Sequence, residues 1–305
     1  MKILVVGAGA IGGYFGGRLI EKGEDVTFLV REKRKQQLDR DGLVIESIHG
    51  DMRFNPKTLV SGEKATPFDV VLLSTKAYHL DGGMESVRPY VGENTFILPL
   101  LNGIAHMPTL MEEFGEERVL GGLCFIETTL DPEGRVIQSS PIHDLVFGEY
   151  SGEITDRVRK LQEVFSGTKA NFRLSENIEQ DMWHKYLFIA ILSGVTSLFR
   201  APIGPIREQE YGLQTIKRVL LETTEIMRAL GAPLAPEIDA VQLNRVKEIG
   251  HEMKSSLQRD MEKQMPIEGD HFFGYLLEKA KDKGIEAPTL TAIYTNLKIY
   301  ETTLD

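Results

Sequence analysis

From the N-terminus to about Leu174, short apolar runs alternate with helical or turn segments. The runs are Lys2 to Val6, Asp25 to Val30, Asp69 to Thr75, Thr95 to Leu100, Val119 to Thr129, Val136 to Ser139 and Leu145 to Glu149. Strands separated by crossovers predict a parallel sheet. Val70-Val71-Leu72-Leu73 is apolar at every position, the pattern of a strand covered on both faces. Asp131-Pro132-Glu133-Gly134 reads as a turn between two extended segments, which predicts an antiparallel extension of the sheet over Val119 to Glu149. A helix from about Glu153 to Phe165 and a strand near Ala170 to Leu174 complete this half. After Ser175 the period becomes 3.6 residues, in segments ended by helix stops at Pro202/Pro205, Gly231, Gly250 and Gly284. The pattern therefore predicts an α/β domain over residues 1–174 and an all-α domain over 175–305. No linker-like tract separates them, so a tight hinge is expected near residues 172 to 178, and ligand sites favour such junctions.

At 305 residues the chain can bury a core in each half. The formal net charge of −10 disfavours nucleic acid or an anionic membrane as partner, and the basic cluster from Arg31 to Lys35 is local. A single cysteine, Cys124, excludes an internal disulfide and a cysteine-based zinc site; it lies in an apolar run, where a buried inert thiol is expected. The apolar N-terminus lacks the charged region of a secretion signal, and the longest apolar run, Tyr186 to Phe199, is too short to span a bilayer. A cytoplasmic, soluble protein is expected. Apolar helices in the second half can serve a homodimer interface as well as an internal core.

The first strand runs into Gly7-Ala8-Gly9-Ala10-Ile11-Gly12, and a run of small and apolar residues follows. In a Rossmann-type turn the first glycine allows the tight bend, the second lets backbone approach a diphosphate, and the third lets helix and strand pack closely. The helix N-terminus then supplies free N–H donors and partial positive charge. The strand before, the helix after and a second strand at the usual distance make this a dinucleotide site. Where an NAD enzyme usually carries an acid, at the end of the second strand, this chain has Arg31, whose planar fork suits a 2′-phosphate; Lys33, Arg34 and Lys35 add positive potential. NADP is the expected cofactor, although Glu32 is also placed to accept from a ribose hydroxyl.

A nicotinamide supplies hydride, so the protein must bind an acceptor and deliver a proton. The helix from Glu176 to Phe199 carries Lys185 one turn into its apolar stretch, where an ammonium is costly to bury without a purpose. Such a lysine stabilises a developing alkoxide and hands over a proton, with desolvation drawing its pKa toward a working range. Lys76 and Asn102 each lie at or just past the C-terminal end of an apolar strand, the edge where ligands sit in open α/β sheets. Ser255-Ser256 and Pro266-Ile267-Glu268-Gly269-Asp270 stand out in the helical half, although Glu268 and Asp270 also suit a plain helix N-terminus. The seven histidines show no ligand spacing, so neither a metal site nor a nucleophile triad is expected.

Together, Gly7-x-Gly9-x-x-Gly12, Arg31, Ser74-Thr75-Lys76, Leu101-Asn102-Gly103, Trp183-His184-Lys185, Ser255-Ser256 with Asp260, and Glu268-Gly269-Asp270 resemble the ketopantoate reductase family, in order and spacing over essentially the whole chain. The resemblance implies a second domain like the C-terminal domain of 6-phosphogluconate dehydrogenase and NADPH-dependent reduction of 2-dehydropantoate to pantoate, a step toward pantothenate and coenzyme A. It implies Lys185 as general acid and Glu268 as the acid that positions ligand and lysine. It further implies Gly7, Gly9, Ala10, Ile11, Gly12, Arg31, Lys76, Asn102 and Glu268 at the cofactor, and Lys76, Asn102, Lys185, Ser193 and Ser256 at a small 2-oxoacid substrate. The family commonly places asparagines four and eight residues after the lysine, and another shortly after the acidic pair. Here Ile189, Ser193 and Phe273 stand at those places. That departure implies a more apolar pocket, with a less polar 2-oxoacid as the rival substrate; a non-catalytic NADP-binding sensor is the rival from another class.

Overall fold

The computed structural model describes residues 1–304. Contacts divide it into two compact units, Met1–Asn102 with His106–Glu179, and Gly103–Ala105 with the chain from Gln180 onward.

The elements of the first unit are β1 (Lys2–Val6), α1 (Ala10–Lys22), β2 (Asp25–Leu29), α2 (Glu32–Asp41), β3 (Leu43–Ser47), β4 (Met52–Phe54), β5 (Lys57–Leu59), β6 (Val70–Leu73), α3 (Leu80–Val87), β7 (Phe96–Pro99), α4 (His106–Phe114), β8 (Leu120–Leu130), β9 (Val136–Glu149), α5 (Asp156–Phe165) and β10 (Asn171–Leu174). Five strands form a parallel sheet in the order β5-β2-β1-β6-β7. Ile3 to Val6 and Val70 to Leu73 are buried along their whole length, as strands covered on both faces must be. α1 approaches this sheet closely because its inner face is glycine: a Cβ at Gly16 would lie 2.7 Å from the Phe28 ring.

The run from Val119 to Glu149 forms the expected antiparallel hairpin, β8 against β9, but it builds a second sheet rather than extending the first. That sheet runs β10-β9-β3-β4, with β8 on β9, and meets the first through one bridge between Ile97 and Val119. β9 is long enough, at 14 residues, to recruit β3 along its start and β10 along its end. Its partners come from far along the chain, which a local reading does not reveal.

Then follow α6 (Ile178–Phe199), α7 (Ile203–Glu208), α8 (Glu210–Ala229), α9 (Ile238–Glu248), α10 (Ser256–Glu262), a π-helical turn (Asp270–Gly274), α11 (Tyr275–Lys283) and α12 (Pro288–Glu301). This half is helical, as expected. Pro205 does not stop a helix: it lies in the first turn of α7, where no internal N–H partner is required. Gly231 (φ 78°) and Gly284 (φ 66°) do act as left-handed ends after α8 and α11. α6 is longer than its apolar run, and by length and composition it could cross a membrane. Here it is a core helix, with 72% of its most apolar window buried. Glu222 of α8 is buried too, and its carboxylate accepts the N–H groups of Thr289 (3.1 Å) and Leu290 (2.9 Å), capping α12. Cys124 is buried and, among the described residues, in no disulfide.

Candidate active site

Register places one residue of each central strand side by side: Leu29, Val6, Leu73 and Pro99. The next residues of each strand, Gly7, Val30-Arg31, Ser74-Thr75-Lys76 and Leu100-Leu101-Asn102, therefore line the C-terminal edge of the sheet. After β1 the chain winds toward β2, and β6 lies on the other side, so the switch in strand order falls between β1 and β6, where Gly7 and Ser74 stand.

Gly7 adopts φ 91° to make the bend, and its N–H donates to the Leu29 carbonyl at 2.9 Å. Ser74 Oγ donates to the Val6 carbonyl (2.8 Å) and lies 3.3 Å from that of Gly7, fixing the turn against β6. A Cβ at Gly12 would sit 2.2 Å from Ser74 Oγ and 2.3 Å from the Gly7 carbonyl oxygen, whereas a Cβ at Gly9 would meet nothing within 4 Å. The turn is thus packed tightly below Gly12 and open above Gly9. No side chain caps α1, and Ala10, Ile11 and Gly12 carry the N–H groups that a helix leaves without an internal partner. An open cradle of backbone donors at a helix start fits the diphosphate of a dinucleotide.

Arg31 is exposed at the start of α2. Partial desolvation and, less strongly, the Arg31 charge hold the His79 imidazole below its ordinary pKa. His79 follows β6 on the same edge; the sequence alone shows it only as one of seven scattered histidines. The residues expected to add positive potential beside Arg31 do not all face the same way. Arg34 is turned inward, donating to the Ala8 carbonyl through Nη2 (2.8 Å) and Nε (3.2 Å) and to the Gly134 carbonyl through Nη1 (3.0 Å). It buttresses the glycine turn from α2, and burial lowers its guanidinium from the ordinary value. Lys35 is paired with Asp39 at 2.7 Å, and Glu32 accepts from Gln36 at 3.0 Å along α2. Lys76 precedes a single 3₁₀ turn, Ala77–His79, and its carbonyl accepts the His79 N–H at 2.9 Å.

In the second unit Lys185 is buried, with 7% of its surface exposed. Ile189 and Ser193 follow at four and eight residues, on the same face of α6; Ile189 is half-buried and Ser193 buried. Phe273 is fully buried and packs on α6 at Gly194, where a Cβ would lie 3.4 Å from its ring. Glu268 is buried just before the π-helical turn. The two adjacent serines separate in role. Ser255 caps α10 by accepting the Gln258 N–H (3.0 Å) and shares a 2.9 Å hydrogen bond with Thr196 of α6, while the half-buried Ser256 opens the helix. A buried amine, a buried carboxylate and hydroxyls are the group types that general acid–base chemistry uses. Among the described residues no group of His, Cys, Asp or Glu is arranged to hold a metal.

Residues 3–152 match the family described as ketopantoate reductase PanE/ApbA, and residues 177–301 match ketopantoate reductase PanE/ApbA C terminal. The uncharacterized oxidoreductase YkpB of Bacillus subtilis (strain 168) is 47% identical, over 99% of each chain. The crystal structure of 2-dehydropantoate 2-reductase from Geobacter metallireducens GS-15 has a TM-score of 0.88 at 28% identity, covering 98% of this chain and 99% of that one. The ternary structure of D-mandelate dehydrogenase with NADH and anilino(oxo)acetate has a TM-score of 0.89 at 20% identity, covering 100% of this chain and 99% of that one, a likeness of fold alone.

Proposed function

This chain belongs to the ketopantoate reductase family, and from that premise we propose that it reduces 2-dehydropantoate to pantoate with NADPH in the cytoplasm, a step toward pantothenate and coenzyme A. The observation that carries this reading is Lys185, an amine buried on the core helix of the second unit, where a proton donor acts out of bulk water. The open glycine turn of the first unit supports it.

In this reading Gly7, Gly9 and the N–H groups of Ala10, Ile11 and Gly12 would hold the diphosphate, and Arg31 would hold the 2′-phosphate. Lys76 and Asn102 serve the nicotinamide end and approach the substrate, Ser193 and Ser256 contact it, and Glu268 positions ligand and lysine. The dinucleotide, when bound, supplies a hydride for C2 of the oxoacid. Lys185 stabilises negative charge on the carbonyl oxygen and transfers an Nζ proton to it, so the carbonyl becomes a hydroxyl. The amine then regains its proton from water.

Arg31→Ala is expected to raise the Kd of NADPH about tenfold or more, since a charge-assisted phosphate contact is lost, while NADH binding stays within about twofold. Fluorescence titration with both dinucleotides checks this, and equal losses would leave Arg31 a surface role only.

A second reading rests on Ile189, which offers neither donor nor acceptor on the Lys185 face. A hydroxyl left unmatched there costs about 1 to 3 kcal/mol, enough to favour a branched apolar 2-oxoacid. NADPH oxidation across a panel of 2-oxoacids tests both readings. The highest kcat/KM is expected for 2-dehydropantoate; a branched apolar acid exceeding it about tenfold would replace the substrate. Turnover with none would favour a redox sensor.

A further inference from the structure

Glu268 lies on a segment without regular structure of its own until Gly269, and α10 ends before it with Gln264 in a left-handed conformation (φ 54°). Such a segment holds a carboxylate in place only if something fixes its backbone. Two buried phenols do so. Tyr300 of α12 donates to the Met265 carbonyl at 2.9 Å, three residues before Glu268. Tyr186 of α6 donates to the Phe272 carbonyl, four residues after it. The Phe272 N–H in turn donates to the Glu268 carbonyl at 3.0 Å. Two successive hydrogen bonds therefore run from the residue next to Lys185 to the peptide of Glu268.

The turn between them is π-helical, a local widening that neighbouring contacts must sustain. Asp270 at its start accepts from Tyr294 Oη at 2.5 Å and from Lys298 Nζ at 3.1 Å, both on α12. On the inner side the tie is Tyr186, fully buried, with its ring 6.3 Å from that of Trp183 and 6.5 Å from that of Phe272. Burial pushes this phenol well above its ordinary pKa, so it keeps its proton and stays a donor.

We propose that Tyr186 is a positioning residue for the reaction: its hydroxyl ties the helix that carries Lys185 to the turn that carries Glu268, so that the two side chains are held as one piece. This rests on the roles given above to Lys185 and Glu268.

The test is Tyr186→Phe, which keeps the ring and removes the hydroxyl, beside Tyr90→Phe. Tyr90 is an equally buried phenol, donating to the Glu63 carbonyl at 2.9 Å in the first unit. Both variants are expected to lose thermal stability. Tyr186→Phe alone is expected to lower kcat about tenfold, the size of one lost hydrogen bond. In a Glu268→Gln background the same substitution should have little further effect, because it acts through Glu268. Amide hydrogen exchange over residues 265–273 should quicken about tenfold in Tyr186→Phe and not in Tyr90→Phe. Unchanged kcat in Tyr186→Phe, or losses that simply add in the double variant, would overturn the proposal. Exchange needs no substrate, so unaltered protection of 265–273 would overturn it even if no 2-oxoacid were turned over, the result that would instead defeat the proposed function.

Discussion

Lys185→Ala is expected to lower kcat by about two orders of magnitude or more, the usual size of a lost general acid. The expectation follows from burial. An ammonium at 7% exposure inside an apolar helix is desolvated, so its field at a nearby oxygen is screened far less than in water. Truncation to alanine removes both that field and the transferable proton, while alanine itself suits a helix interior. The loss should fall on kcat and leave NADPH affinity nearly intact, because the glycine turn proposed to hold the dinucleotide belongs to the other compact unit. Lys185→Met, which keeps the apolar stem, should lose as much. Steady-state kinetics beside thermal midpoints separate chemistry from folding: low turnover in a stably folded variant assigns the effect to the amine. Turnover equal to that of the parent enzyme would falsify the assignment.

Much of the fold can be read from residue order alone, and the unread part has a common physical origin. The glycine turn and the parallel strands were legible because their signals are local: a fully apolar Val70 to Leu73, and glycines spaced over one bend. β4 and β5 were not, being three residues each and half-exposed; β5 holds its place through backbone pairing with β2 and an ion pair from Lys57 to Asp25 at 2.6 Å. The residues Asp131 to Gly134 predict the hairpin, but its sheet depends on β3 and β10, which lie far from it in sequence. Arg34 shows the same limit at one side chain. Its charge is plain in the sequence, whereas its direction is set by the Ala8 carbonyl. The acidic pair Glu268 and Asp270 likewise reads as an ordinary helix start. Its π-helical geometry is held by Tyr186 and Tyr294, from two other helices.

Gly9→Ala and Gly12→Ala are expected to part company, and the difference locates the diphosphate. At Gly12 a methyl group would enter 2.2 Å from Ser74 Oγ, 2.3 Å from the Gly7 carbonyl and 3.0 Å from Val5. Ser74 has little room to yield, because its hydroxyl is bound to the Val6 carbonyl. The start of α1 must move away from β1, at an overpacking cost of about 1 to 3 kcal/mol, and the donors of Ala10 to Gly12 move with it. Both thermal stability and NADPH affinity should fall, the latter about 100-fold. Gly9 has φ −82° and ψ −164°, a conformation alanine adopts freely, and open space where the methyl would go. Gly9→Ala should therefore keep its thermal midpoint and still lose NADPH about tenfold or more, since the methyl stands where the phosphates approach the backbone. Titration of both variants with NADPH, beside thermal melts, reads the contrast. If Gly9→Ala binds as tightly as the parent protein, the space above Gly9 is not the phosphate cradle, and the dinucleotide must lie elsewhere along the sheet edge.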